Sequence, residues 1–283
     1  MSSALPASTV TMSTSPPSGL PLGEDLLEAD EPPPVERVNP AGQAPVVVLC
    51  DHAAPRVPRR LQALGLEPAS FERHIAWDIG AAEVARHLAG LLEAPALLTA
   101  YSRLVIDPNR GLDDPTQIPL ISDGTIIPGN RHLSTADRAA RIEALFHPYH
   151  RAVAATIAAK RAEGPPPAIL SIHSFTPVFK AESRPWAIGV LWNRDPRLAL
   201  PMITALGAAG DIVVGDNQPY SGRDGYGYTV EAHAEQAGLP HVTVEIRQDL
   251  LASPAATRAW AERLQGVLAP LLADPGLYRI QQY

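Results

Sequence analysis

Three short β-branched runs constrain the fold most, because each leads into chemistry that a buried strand ordinarily excludes. Val46-Val47-Val48-Leu49-Cys50 runs into Asp51-His52, Ala168-Ile169-Leu170-Ser171-Ile172 into His173, and Val242-Thr243-Val244 into Glu245-Ile246-Arg247. Apolar runs of this length suit strands covered on both faces, the habit of parallel sheets flanked by helices. Helical periodicity fills the stretches between them. Ile79 to Leu92 has the helical period, with Ile79, Val84, Leu88, Leu91 and Leu92 apolar, and Ser134 or Thr135 can cap a helix running towards Lys160. Leu198 to Ala208, Thr229 to Gly238 and the amphipathic Ala255 to Leu272 follow the same period, with further strands expected at 96–101, 187–192 and 211–214. Strands alternating with helices in this way predict a three-layer α/β domain with a largely parallel sheet.

The first 44 residues differ in kind. Ser15-Pro16-Pro17-Ser18-Gly19 and Glu31-Pro32-Pro33-Pro34 cannot bury enough apolar area to offset their conformational entropy, so residues 1–44 are expected to be a disordered arm. Residues 45–283 are then expected to form a single catalytic domain that folds unaided, a size one hydrophobic core can serve. A net charge of −7 offers no electrostatic footprint for nucleic acid or an anionic membrane. No segment reaches the ~20 apolar residues of a membrane span, and the N-terminus lacks a secretory signal pattern. The single cysteine, Cys50, excludes an internal disulfide framework and suits a reducing compartment, so a cytoplasmic protein is expected. Cys50 itself, at the end of an apolar strand, reads as a small buried hydrophobe rather than a nucleophile.

Ligands in open α/β sheets collect at the carboxyl ends of the strands, so His52 and His173 can project into one crevice. A lone histidine is more often a hydrogen-bonded structural residue. Two at strand ends, joined by a strand carboxylate, suggest a metal hydrolase instead, since zinc takes neutral imidazoles and carboxylates and leaves a position open. For the third ligand Asp51 and Asp78 compete. Along an extended strand Asp51 points away from His52, whereas Asp78 opens the helix that follows, and Asp78 is preferred. Glu245 is hard to explain as structure, because a buried carboxylate is costly unless paired or used. Arg247 on the same face could pair with it; the functional alternative makes Glu245 the general base for the attacking water. Asn109-Arg110, with Arg103 upstream, suits two-point recognition of a substrate carboxylate, although arginines are usually surface residues.

Other features carry less. His147 and His150 share a helix face, but Pro148 between them points to a helix start and a supporting role. Gly222 to Gly227 lacks the Gly-Lys-Ser/Thr of a phosphate cradle and suits a lid. Ser171 and Ser174 lack the Gly-x-Ser-x-Gly context of a serine hydrolase.

Taken together and in order, several segments resemble the N-formylglutamate amidohydrolase family: Cys50-Asp51-His52-Ala53 with Val57-Pro58, Trp77-Asp78-Ile79-Gly80-Ala81, 102–110 (Ser102 to Arg110), Pro148-Tyr149-His150, 171–177 (Ser171 to Pro177), 215–220 (Gly215 to Tyr220) and Glu245-Ile246-Arg247-Gln248-Asp249. The resemblance implies a zinc-carboxypeptidase-like fold, a three-layer αβα arrangement with a mixed sheet. It also implies one zinc ion held by His52 and His173, Glu245 as the carboxylate that activates water, and Asn109-Arg110, assisted by Arg103, on the substrate carboxylate. The implied substrate is a small N-acyl amino acid such as N-formyl-glutamate. In the carboxypeptidase-like relatives the second ligand sits in a His-x-x-Glu spacing; here that position is Pro55, which cannot ligate, and Asp78 takes its place in the expected set. Two alternatives stand beside this: a zinc peptidase or other N-acyl-amino-acid deacylase, and a non-catalytic binding protein on the same scaffold.

Overall fold

Every second residue of the buried strands faces a different helical layer, and this alternation organises the molecule. A computed structural model describes residues 25–225 and 227–283. Its strands, in chain order, are β1 (Val35–Val38), β2 (Val46–Cys50), β3 (Ala96–Thr99), β4 (Ile121–Ser122), β5 (Thr125–Ile126), β6 (Ala168–Phe175), β7 (Val178–Phe179), β8 (Glu182–Ser183), β9 (Ile188–Leu191), β10 (Val214–Asp216) and β11 (His241–Arg247). Seven of them form one sheet in the order β1-β3-β2-β6-β11-β9-β10, while β4-β5 and β7-β8 are separate short hairpins. Within the sheet β3, β2, β6 and β11 run parallel; β1 lies antiparallel to β3, and β9 antiparallel to β11. The sheet is therefore mixed and mostly parallel, as expected.

The helices are α1 (Ala81–Leu91), α2 (Thr135–Arg141), α3 (His147–Glu163), α4 (Ala199–Ala208), the single turn α5 (Tyr228–Val230) and α6 (Pro254–Leu272). On one face of the sheet Val46, Val48, Cys50, Leu170, Ile172, Val242, Val244 and Ile246 pack against α1, α4 and α6 through Val84, Leu88, Met202, Leu206, Trp260 and Leu264. On the other face Val47, Leu49 and Ile169 pack against Tyr149, Val153 and Ile157 of α3. Two covered faces explain why the strands read as unbroken apolar runs. Buried apolar area of this kind contributes roughly 25 cal/mol per Å². The Ser134 side chain caps α2 in a reciprocal box with Asp137, and a π-helical stretch, Ile142–Phe146, links α2 to α3.

Two expectations need correcting. Residues 25–44, assigned to a disordered arm, hold β1, which pairs with β3 from Val35↔Thr99 to Val38↔Ala96, and a buried Leu26. The proline-rich composition hid a four-residue edge strand, a place where the sheet tolerates proline neighbours. The first 24 residues of that arm lie outside the described residues. The strand expected over 211–214 is displaced to β10, and the loop from 111 to 130 contains the β4-β5 hairpin. That loop is tied down by Arg141, which is buried and donates to the carbonyls of Val105 (2.9 Å) and Gly129 (3.0 Å) and to Asn130 Oδ1 (2.7 Å).

Candidate metal and substrate site

Strand register makes the site. In the parallel pair β6-β11, Glu245 lies opposite His173, and Gly189 of β9 lies opposite Glu245, so these three form one row across the sheet. Residues in register on neighbouring strands point to the same face. The imidazole and the carboxylate therefore stand side by side on the α3 face, in line with Ser171 and Thr243 below them. Gly189 has no side chain because a Cβ there would meet the carbonyl oxygen of Gln218 at 2.0 Å. That close approach lays the segment ending at Tyr220 over the end of the sheet.

His52 arrives from the neighbouring strand. β2 ends at Cys50, and the following turn is anchored by Thr99, whose hydroxyl donates to Asp51 O (2.7 Å) and accepts from Ala53 N (3.2 Å). Strand alternation no longer applies beyond Cys50, so Asp51 and His52 both reach His173, from opposite ends of its ring. Asp78 comes from the turn before α1, where its amide donates to His52 O at 2.9 Å.

Nδ1 of His52 and Nδ1 of His173 both face Asp78 Oδ2, at 3.3 and 2.8 Å, and the two rings meet edge to face with centroids 5.0 Å apart. All three side chains are buried, and one potential ligand atom of each lies within 4.8 Å of the others. The far nitrogen of each ring is engaged by a different carboxylate. His52 Nε2 is 2.7 Å from Asp107 Oδ1, and His173 Nε2 is 3.2 Å from Asp51 Oδ2. A carboxylate only accepts, so with a cation on the Asp78 side each Nε2 would keep its proton for Asp107 or Asp51 and each Nδ1 would offer its lone pair. Three acceptors thus converge on one point.

This donor set fits a divalent cation. Imidazoles oriented by carboxylates on their other nitrogen are the usual support of a metal-binding histidine, and two nitrogens with one oxygen suit zinc with a position left for water or substrate. Without a cation the acceptors must share protons. Burial opposes a charged His173, but hydrogen bonds to Asp51 and Asp78 outweigh it and hold its pKa well above the ordinary imidazole range. Burial likewise pushes Asp78 up, and the charges and hydrogen bonds of His52 and His173 reverse this, leaving it well below the usual carboxylate range. A bound metal would displace the shared proton.

The supports are themselves held. Asp107 accepts from Arg103 Nη2 (2.9 Å) and from the Asn109 amide (2.9 Å) as well as from His52. Asp51 is fully buried and accepts from the Tyr149 hydroxyl at 2.7 Å. Asp51, weighed above as a ligand, lies against the far nitrogen of the His173 ring.

A cavity of about 290 Å³ opens over this cluster. His52, Asp78, His173 and Glu245 line it together with Arg103, Asn109 and Arg110, so all seven residues singled out in the sequence share one space. Their engagements differ. Arg103 donates to Asp107 and, at 3.4 Å, to Asp78 Oδ1, so it braces the carboxylates. Asn109 accepts from the Thr229 amide through Oδ1 (3.0 Å), pinning the start of α5. Arg110 lies 3.9 Å from Asp114 and also donates to Asn109 O at 3.2 Å. Arg247 does not pair with Glu245; its guanidinium binds Asp249 at 2.8 Å. Glu245 Oε2 has no hydrogen-bond partner, and burial, only partly opposed by His173, Arg103 and Arg184, raises its pKa to about 8.

Sequence reasoning passed over Asp107, although it directly precedes the Pro108-Asn109-Arg110 it serves, and over His74 and Tyr220, which line the cavity. Burial lowers the His74 pKa to about 4 and keeps it neutral at ordinary pH. His150 stacks on His233 with Nδ1···Nε2 at 2.9 Å and contacts Pro108 O at 3.0 Å, a support for the same loop. Of the expected lid, Gly222 and Gly227 line the cavity, beside Ser221; Tyr226 lies outside the described residues. Burial lifts the Cys50 thiol far from its ionised form, which agrees with a structural part.

The N-formylglutamate amidohydrolase family model matches residues 44–252. The chain belongs to this family. As an N-formylglutamate amidohydrolase family member it is a hydrolase acting on amide bonds, and the resemblance drawn from its ordered motifs holds. A gene product of Agrobacterium tumefaciens, known by crystal structure, is 36% identical and superposes with a TM-score of 0.85, over 88% of this chain and 98% of that one. N-formylglutamate amidohydrolase from Ralstonia eutropha JMP134 is 19% identical with a TM-score of 0.53, over 84% and 95% of the two chains, and shares the fold. Among curated proteins no sequence matches the chain. No helix of the described residues is long and apolar enough to cross a membrane.

Proposed function

We propose that this member of the family is a zinc-dependent amidohydrolase that cleaves the N-acyl amide of a small amino acid, with N-formyl-glutamate as the reference substrate. One observation carries the proposal: His52 Nδ1, His173 Nδ1 and Asp78 Oδ2 converge as three acceptors directly beside Glu245. His52, Asp78 and His173 would hold the ion. When bound, it supplies Lewis acidity to the amide carbonyl and to the attacking water.

The chain's own residues do the rest. Arg110, with the Asn109 side chain beside it, grips the substrate carboxylate and sets the amide over the cluster. Glu245 takes a proton from water as the oxygen adds to the carbonyl carbon. It returns that proton to the amide nitrogen as the C–N bond breaks, releasing formate and the free amino acid. Arg103 keeps Asp78 and Asp107 in place rather than binding substrate directly. The lone, buried cysteine suits a reducing compartment, and we place the enzyme in the cytoplasm.

The test is formate release from N-formyl-glutamate by the zinc-loaded protein, repeated after chelation and with Glu245→Gln. Chelation should abolish turnover and readdition restore it, and Glu245→Gln should lower kcat by about 10²- to 10⁴-fold. Undiminished turnover after complete metal removal would sink the mechanism. So would an active Glu245→Gln variant.

A further inference from the structure

A second cleft, of about 350 Å³, adjoins the catalytic cavity. The two share His74 and Tyr220 in their walls, whereas Asn109 and Arg110 line only the first. Ile75, Ile79 and, from the β7-β8 hairpin, Val178 and Phe179 give the second cleft an apolar part among charged and polar neighbours. Val178 and Phe179 are 53% and 39% exposed, an apolar pair that a polar surface would not ordinarily present. Tyr220, at the junction of the two, is held in place by Arg184. Arg184 Nη1 donates to the Tyr220 hydroxyl at 3.2 Å, and its guanidinium stacks on Phe179 at 4.8 Å and on Tyr220 at 4.9 Å.

A scissile amide has two sides. With the amino-acid carboxylate at Arg110 and the carbonyl over His52 and His173, the acyl group extends away from Arg110, and the second cleft, which Arg110 does not line, offers it room. A formyl group carries only hydrogen beyond its carbonyl and would leave this space unused. For scale, a void of about 150 Å³ already accommodates a benzene ring.

We propose that the cleft behind His74 and Tyr220 receives the acyl arm of the substrate, so that the enzyme removes alkanoyl or aroyl groups larger than formyl. The proposal rests on the amidohydrolase function above and names the substrate class of that same site. It is tested by following glutamate release from N-formyl-, N-acetyl-, N-hexanoyl- and N-benzoyl-L-glutamate with the zinc-loaded full chain. Hexanoyl or benzoyl substrates are expected to match or exceed the formyl substrate in kcat/KM. Val178→Asp, at an exposed hairpin position, should cost these substrates about tenfold or more while changing the formyl substrate by less than about twofold, since several methylenes would lose an apolar wall. Phe179→Ser serves the same purpose should Val178→Asp misfold. Calorimetric titration of Glu245→Gln gives a readout independent of turnover: N-hexanoyl-L-glutamate should bind at least about tenfold tighter than the formyl compound, and Val178→Asp should erase the difference. Cleavage of the formyl substrate alone, or equal losses for short and long acyl groups, overturns the acyl-arm proposal and leaves the amidohydrolase intact. Failure to cleave any of the four overturns the amidohydrolase function itself.

Discussion

Replacing Glu245 by Gln should stabilise the metal-free protein at alkaline pH. Glu245 is only 8% exposed, its Oε2 has no partner, and burial is the largest influence on its pKa, lifting it from 4.5 to about 8. The folded state therefore holds a proton that the unfolded chain releases, across the window from 4.5 to about 8. A carboxyl whose folded pKa is raised contributes its full stability below the unfolded value and loses it as pH rises through the folded one. At about 1.4 kcal/mol per unit, ionising Glu245 in place should cost the fold roughly 3–5 kcal/mol by the alkaline end of the window. Gln keeps the volume and cannot ionise. The stability of Glu245→Gln relative to the parent should thus climb by that amount between pH 4.5 and pH 9. Urea unfolding of both chelator-treated proteins, followed by far-UV circular dichroism across that range, measures it. Groups common to both proteins cancel in the difference. Two stability curves that stay parallel with pH would refute the reasoning, since they would mean that Glu245 is ionised in the fold at no cost.

Three further outcomes follow from the geometry. Asp107→Asn removes the carboxylate that fixes His52 Nε2, and zinc affinity measured by chelator competition should fall about 10- to 100-fold with the fold intact. Arg110→Ala should raise KM for N-formyl-glutamate by about tenfold or more, with a smaller effect on a substrate whose carboxylates are amidated, as steady-state kinetics would show. Deletion of residues 1–44 removes β1 and Leu26, exposing the edge of β3; loss of the buried leucine alone costs about 2 kcal/mol, and calorimetry should show a midpoint lower by at least several degrees.

His173 and Glu245 were legible because each interrupts a β-branched run where solvation is unavailable, so a polar residue there needs a purpose. Asp78 was preferred because alternation turned Asp51 away from His52 and because the family resemblance implied a ligand at Pro55, which cannot serve. That alternation argument holds only within a strand. β2 ends at Cys50, and Asp51 uses the turn to reach His173 Nε2. Arg103 was expected to assist Arg110 on the substrate carboxylate, yet its guanidinium is engaged by Asp107 and Asp78. Nothing in a single chain of letters shows which arginine is taken up by neighbouring carboxylates. β1 was hidden by its prolines, because a short edge strand needs only four residues and one partner.

The sequence by itself determined the layered α/β architecture, through runs buried on two faces and helices of matching period. It also determined the types of group available for chemistry, and their ordered motifs pointed to the family. The tertiary structure decided which groups meet. The Glu245↔His173 row, the loop that Gly189 admits and the convergence of His52, Asp78 and His173 all depend on pairings between distant segments. Periodicity reports which face a residue takes; only strand register and turn geometry decide which residue stands beside it.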